Sequence, residues 1–393
     1  MTTITVASDK IILPSGLFCG YLTAKDGIVH SITAKKPIEC GRLIDVSGLY
    51  VSPGFIDMHT HGGGGHDFMD GTVQCIAEGV MTHLRHGTTT IVPTSLASVE
   101  DEVFTFLDNF HKAKAELSDG PYMHGVHLEG PYFSLEYAGA QDPKYITPPC
   151  EGQYKKIIDY AKEAIIRWSV APELEGACAM GDYLFSHGII PSIGHSSAEY
   201  DDVVQAYNHH YTLVTHFYSC MSGIVRRNSY RYLGVIESTY LIDGMDVEII
   251  ADGCHLPPEL LKLIYKIKGP ERIALVTDSI RAAGTNDSNS ILGSLKNGQP
   301  TIVEDGVAKM PDRTSFAGSV ATADLLVRTM HTKAGIDMVN AVKMITATPA
   351  RMLGLKHKGA IAVGMDCDLA IFDSDVKLHS VIVGGKEVIL IPS

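Results

Sequence analysis

Short apolar runs rich in β-branched residues recur through the middle of the chain: VSPGFIDMH, TTTIVPTS, MHGVHLEG, RWSVAPE, IIPSIGHS, TLVTHFYS, VEIIADGCH and RIALVTDS, between residues 51 and 280. Each run is apolar on successive positions, not only on alternate ones, which is the pattern of a strand buried on both faces of a parallel sheet. Between most of them lie amphipathic stretches, at 72–86, 98–117, 151–166, 175–187, 197–209 and 257–267, which predict helices. Further helix is predicted around 320–346. Eight βα units predict an α/β fold, a (β/α)8 TIM-like barrel spanning 50–358. A doubly wound open sheet is the alternative, but no GxGxxG follows the first run.

The two ends of the chain read differently. Residues 1–49 and 359–393 alternate apolar with polar positions and are punctuated by Gly and Asp-Gly turns, which predicts antiparallel strands. They are assigned jointly to one small β-sandwich domain built from both termini, with the barrel inserted in it. Residues 285–315 read as a β-hairpin insertion after the eighth barrel strand.

Composition narrows the function. Across 393 residues, 45% are hydrophobic and 20% charged, the balance of a packed globular protein. A formal charge of -13 repels nucleic acid and anionic membrane surfaces, so an anionic substrate requires a local basic patch. The eight Cys are dispersed with no CxxC pair, the N-terminus shows no signal-like segment, and no apolar run approaches the ~18 residues of a membrane span. A cytoplasmic protein with reduced thiols is expected.

Polar residues cluster at the C-terminal ends of the apolar runs, where barrel enzymes place their active sites. His59 and His61 end the first run, and residues two apart on a strand point to one side, so both imidazoles can reach one metal. Glu129 ends the third run, His195 the fifth, His216 the sixth and Asp278 the eighth. Buried imidazoles and carboxylates at one end of a barrel are costly unless paired or metal-bound, so together they predict a metal site.

These segments, PGFIDMHTHG with HLEGP, GHSS, VTHFYS and VTDS, resemble the metal-dependent amidohydrolase superfamily and within it the N-acetylglucosamine-6-phosphate deacetylases. The resemblance implies that Glu129, His195 and His216 hold one divalent ion, while His59, His61 and a bridging Glu129 hold a second beside Asp278. It implies one or two metals per chain, zinc foremost, with iron, manganese or cobalt as alternatives. Asp278 is the implied general base and acid of amide hydrolysis. A homodimer is also implied, in which Arg227 and His255 reach across the interface.

The implied substrate contacts are Gln141, Ser219, Cys220, Arg227 and His255. Three stretches depart from the family pattern. Gln141 stands where relatives carry a His, Tyr218-Ser219-Cys220-Met221 replaces Phe-Asn-Ala-Met, and Val225–Tyr230 replaces His-His-Arg-Glu-Pro-Gly. Arg226, Arg227 and Arg231 form the local basic patch that a phosphate needs. Gly62–Gly65 lacks a following GK[ST] and reads as a turn, and His209-His210 as surface. The expected reaction is removal of acetyl from an amino-sugar phosphate. The rivals are another N-acyl hexosamine, phosphorylated or not, and a non-catalytic binding protein on the same fold, which would be expected to have lost some of the six candidate ligands.

Overall fold

The structure is a computed structural model and describes residues 2–389; the last four positions of the predicted terminal domain lie outside the described residues. Each of the eight apolar runs overlaps a barrel strand: β1 (Phe55–Thr60), β2 (Thr88–Pro93), β3 (Val126–Glu129), β4 (Ile165–Val170), β5 (Ile190–Ile193), β6 (Leu213–Val214), β7 (Asp246–Ile249) and β8 (Ile273–Leu275). All pairings among them are parallel, and β3 to β8 form one sheet in chain order. The gap between β2 and β3 is crossed by a Thr94–His127 bridge. The gap between β8 and β1 is crossed by the Asp278 N–H to the His59 carbonyl at 2.9 Å and the His61 N–H to the Ser279 carbonyl at 2.8 Å. The ring of strands is therefore closed by backbone bonds at its C-terminal rim, where the candidate ligands lie.

Helices α1 (Val73–Arg85), α2 (Glu100–Glu116), α3 (Glu151–Ala161), α4 (Ala177–Ser186), α5 (Tyr200–Asn208), α6 (Val235–Leu241) and α7 (Pro258–Lys268) follow β1 to β7 in turn. The short α6 was not among the predicted helices. The predicted 151–166 helix stops at Ala161, because Lys162 and Glu163 adopt left-handed backbone (φ 48° and 67°) and Ala164 turns into β4. Around 320–346 the helix comes in pieces, Ala323–Arg328, Thr329–Lys333 and Met338–Lys343. Val80, Leu107, Ile157, Leu184, Val203 and Leu261 pack these helices onto the strands in one continuous core.

Both chain ends meet in a second sheet. Thr3–Leu13, Gly16–Lys25 and Ile28–Thr33 continue through Tyr50–Pro53 into Leu369–Phe372, Leu378–Val383 and Lys386–Ile389. Tyr50–Pro53, the start of the first apolar run, thus lies in this sheet, paired antiparallel to Leu369–Phe372. Its core of Val6, Ile11, Leu22, Val51, Leu369 and Ile382 is separate from that of the barrel. The insertion after β8 is a sheet of three strands, Asn289–Leu292, Gln299–Glu304 and Val307–Lys309, not a hairpin of two. Its second turn, Asp305-Gly306, has both residues at positive φ, as a tight two-residue connection requires.

Candidate active site

The six predicted ligands converge at the C-terminal ends of the strands: His61, Glu129, His195, His216 and Asp278 line the floor of a cleft of about 270 Å³, and His59 lies fully buried against Glu129 and Asp278. His59 and His61 project from β1 and just beyond it, and Glu129 ends β3. His195, His216 and Asp278 each follow a strand by two or three residues and share left-handed backbone, with φ of 47°, 29° and 47°. Such conformations cost on the order of 1–3 kcal/mol each for a residue with a side chain and persist where surrounding structure imposes them. Here Asp278 is tied by its N–H to the His59 carbonyl, and the backbone beside His216 by the Phe217 N–H to the Glu248 carbonyl (2.7 Å).

Glu129 is the centre of the cluster. Its Oε1 lies 3.1 Å from His216 Nε2 and 3.5 Å from both His195 Nε2 and His59 Nε2, while its Oε2 lies 3.4 Å from His61 Nε2. Asp278 Oδ1 is 3.1 Å from His61 Nε2 and 3.4 Å from His59 Nε2. Donor atoms of two triads, His59–His61–Glu129 and Glu129–His195–His216, fall within 4.8 Å of one another.

Three observations show that these donors fit divalent cations. The buried His59 Nε2 has no hydrogen-bond partner. The Nε2 atoms of His195 and His216 face each other at 3.2 Å, a contact that requires a proton or cation between their lone pairs. The remaining ring nitrogens of three imidazoles are engaged on the far side: His195 Nδ1 with the Tyr137 carbonyl (2.9 Å), His216 Nδ1 with the Ser219 carbonyl (3.2 Å) and His59 Nδ1 with Glu248 Oε2 (3.3 Å). That arrangement turns each Nε2 lone pair toward the cleft, as metal-ligating histidines require.

The electrostatics agree. Burial pushes the Glu129 carboxyl up, but the surrounding imidazoles, His59 foremost, hold it well below the ordinary carboxylate range. Burial pushes His61 down, yet its bond to Asp278 and the charge of Glu129 lift it to about 9. The cluster favours positive charge, which protons supply in the absence of an ion and a divalent cation supplies on displacing them. A second grouping, His66, Asp70 and Cys75, is not equivalent, because both oxygens of Asp70 already accept bonds from Arg281.

The predicted substrate contacts divide. Ser219, Cys220 and His255 line the cleft, and His255 is oriented by Asp252 (Nδ1 to Oδ2, 2.8 Å) and packs on Phe316. Cys220 sits beside His195; burial raises its thiol pKa, and His195 more than offsets this, leaving it below the ordinary value. Gln141 also lines the cleft; its Nε2 donates one hydrogen to Glu129 Oε2 (2.7 Å) and its Oε1 accepts from the Ala97 N–H (2.9 Å), leaving the second amide hydrogen for another acceptor. Arg227 does not line the cleft. It lies on an exposed hairpin, Val225–Arg227 with Tyr230–Tyr232, paired with Glu199 and stacked over Tyr232 at 4.8 Å. Sequence reasoning missed Glu248, Arg167, Asp252 and Phe316. A charged residue inside an otherwise apolar strand, as in VEIIADGCH and RWSV, was the available signal for the first two.

Residues 50–388 match the amidohydrolase family. The N-acetylglucosamine-6-phosphate deacetylase of Lysinibacillus sphaericus is 31% identical over 92% of this chain and 91% of its own, and that of Caenorhabditis elegans 31% over 88% and 84%. A mutant N-acetyl-D-glucosamine-6-phosphate deacetylase from Mycobacterium smegmatis, solved in complex with N-acetyl-D-glucosamine-6-phosphate, superposes with a TM-score of 0.91 at 28% identity, covering 99% of this chain and 100% of that one. The N-acetylglucosamine-6-phosphate deacetylase from Thermotoga maritima superposes with a TM-score of 0.86 at 29% identity over 99% and 100%. With the match spanning the barrel and both triads of donors in place, the chain belongs to the amidohydrolase family.

Proposed function

We propose that this protein removes the acetyl group from N-acetylglucosamine-6-phosphate, giving glucosamine-6-phosphate and acetate in amino-sugar catabolism. The observation that carries the reading is Glu129 set between two pairs of imidazoles at the cleft floor, in a chain of this family. Glu129, His195 and His216 would hold one divalent ion and His59, His61 and Glu129 a second, with zinc the proposed metal. Such ions polarise an amide carbonyl and make hydroxide available near neutral pH.

The protein's own groups supply the rest. Asp278, with one oxygen within 3.1 Å of His61 and only 7% exposed, is placed to take a proton from the attacking water and return it to the departing sugar nitrogen. Gln141 holds the Glu129 carboxylate in its shared orientation. His255, braced by Asp252, lines the cleft and would face the substrate, and Leu96, Leu292 and Phe316 would offer an apolar wall to the acetyl methyl and sugar ring.

One observation favours a second reading. Among the described residues, neither Lys nor Arg lines the cleft, so a sugar phosphate needs its cation from elsewhere. We assign that role to Arg227, delivered by the exposed hairpin of a second copy in a homodimer; otherwise the substrate is a neutral N-acyl hexosamine. We further assign the terminal sheet, residues 1–49 with 359–393, to a small β-sandwich domain beside the 50–358 barrel, and the protein to the cytoplasm; among the described residues no helix is long and apolar enough to cross a membrane. Acetate release from N-acetylglucosamine with and without its 6-phosphate tests the function. Release from neither sugar overturns it.

A further inference from the structure

Beneath the cluster of candidate ligands the barrel interior holds a buried ion pair that the proposed reaction does not use. Arg167 of β4 and Glu248 of β7 are both fully buried, and both guanidinium amino groups reach Glu248, Nη2 to Oε2 at 2.8 Å. Arg167 is further tied to Thr215 Oγ1 (2.7 Å) and Ser192 Oγ (3.1 Å). Stability does not explain such a pair, because apolar residues of equal volume in its place are often neutral or stabilising.

Its position does. Glu248 Oε2 stands 3.3 Å from His59 Nδ1, and on the opposite edge of that ring Nε2 has no partner and faces Glu129 and Asp278. A carboxylate clamped on both oxygens by Arg167 offers Nδ1 only an acceptor, so the ring must carry its hydrogen on Nδ1 and turn a lone pair into the cluster. The other tautomer would set lone pair against lone pair. His195 and His216 are oriented differently, by the carbonyls of Tyr137 and Ser219, and His61 Nδ1 is buried without a partner. Carboxylate backing is therefore confined to His59.

We propose that Glu248, clamped by Arg167, is a positioning residue that selects the His59 tautomer and thereby makes His59, His61 and Glu129 a competent second metal site. This rests on the two-metal reading above, and the test separates the two. Metal-free protein is titrated with Zn²⁺ by equilibrium dialysis for the wild type, Glu248→Gln and the double variant Arg167→Met with Glu248→Leu, which removes the buried charges together in case Glu248→Gln fails to fold. The same substitutions in a His195→Ala background, where only the His59 site remains complete, identify which affinity has moved. Loss of a carboxylate behind a ligand commonly weakens a metal site by about 10–100-fold. The wild type should bind two ions, and the variants should keep the first within about threefold while the second weakens by that factor. A purely structural pair would lower both affinities together, or only the melting temperature, and either result overturns the role. A wild type that binds one ion overturns the two-metal reading and this role with it; a wild type with two ions and unchanged affinities in the double variant overturns this role alone.

Discussion

The cleft floor and the hairpin beside it are built on opposite principles. His59, His61, Glu129, His195, His216 and Asp278 are all buried, each at or just past the end of a strand bonded into the barrel. Arg226, Arg227 and Arg231 sit on two strands of three residues, joined by Asn228 and Ser229 in left-handed backbone, with Tyr230 73% exposed. A change on the floor strips a buried charge of its partners, which is strongly destabilising. Most substitutions on the exposed hairpin fall within about 0.5 kcal/mol of neutral. On the proposed reading, reaction chemistry would be tied to the buried floor and substrate choice to the exposed hairpin. The departures from the family pattern fall at the exposed hairpin but also at Tyr218–Cys220 and the buried Gln141, which adjoin the floor, and at none of the six floor residues themselves.

The largest expected effect tests the floor. Glu129→Gln removes the only carboxylate shared by both triads, so metal content and acetate release should be lost together, and chelation of the wild type should reproduce the loss of activity. Protein that kept its full metal and normal turnover would break the assignment. Asp278→Asn is milder, because Glu129, His195 and His216 remain. It should retain at least one metal while turnover falls by about 10²–10⁴, the usual worth of general acid–base catalysis. A loss below about tenfold would remove Asp278 from the mechanism and leave it a ligand only.

The same division decided what could be read from the sequence. Apolar runs ending in His, Glu or Asp marked the strands and floor, because burial on both faces and a functional C-terminal rim each leave a local signature. What depends on distant partners left none. Nothing local showed that the Gln141 amide also bonds Glu129 and the Ala97 backbone 44 positions away. Glu248 and Arg167 carried no signal beyond being charges in apolar strands and were passed over, and their meaning required the fold that brings them under His59. The first strand of the insertion was missed because Asn289–Leu292 is short and partly polar. The helix end at Ala161 was missed because Lys162 and Glu163 carry no glycine to announce a left-handed turn.

The smallest expected effect tests the hairpin, where the comparison is most open to failure. If Arg227 grips a 6-phosphate remote from the scissile amide, the contact exists in the ground state and persists in the transition state, so it acts as uniform binding. Arg227→Ala should then raise KM more than it lowers kcat. A charge-assisted contact of this kind is worth roughly 1.5–3 kcal/mol, or about 10–150-fold in kcat/KM at ~1.4 kcal/mol per decade. The variant should handle N-acetylglucosamine without phosphate as the wild type does, and mixing it with an inactive Asp278→Asn partner should restore efficient turnover in a fraction of the sites if the arginine acts across a dimer. A wild type with no preference for the phosphorylated sugar would reduce the Arg226–Arg231 patch to a solvated surface. The hairpin would then carry no specificity, and the choice of substrate would pass to Ser219, Cys220 and His255 in the cleft itself.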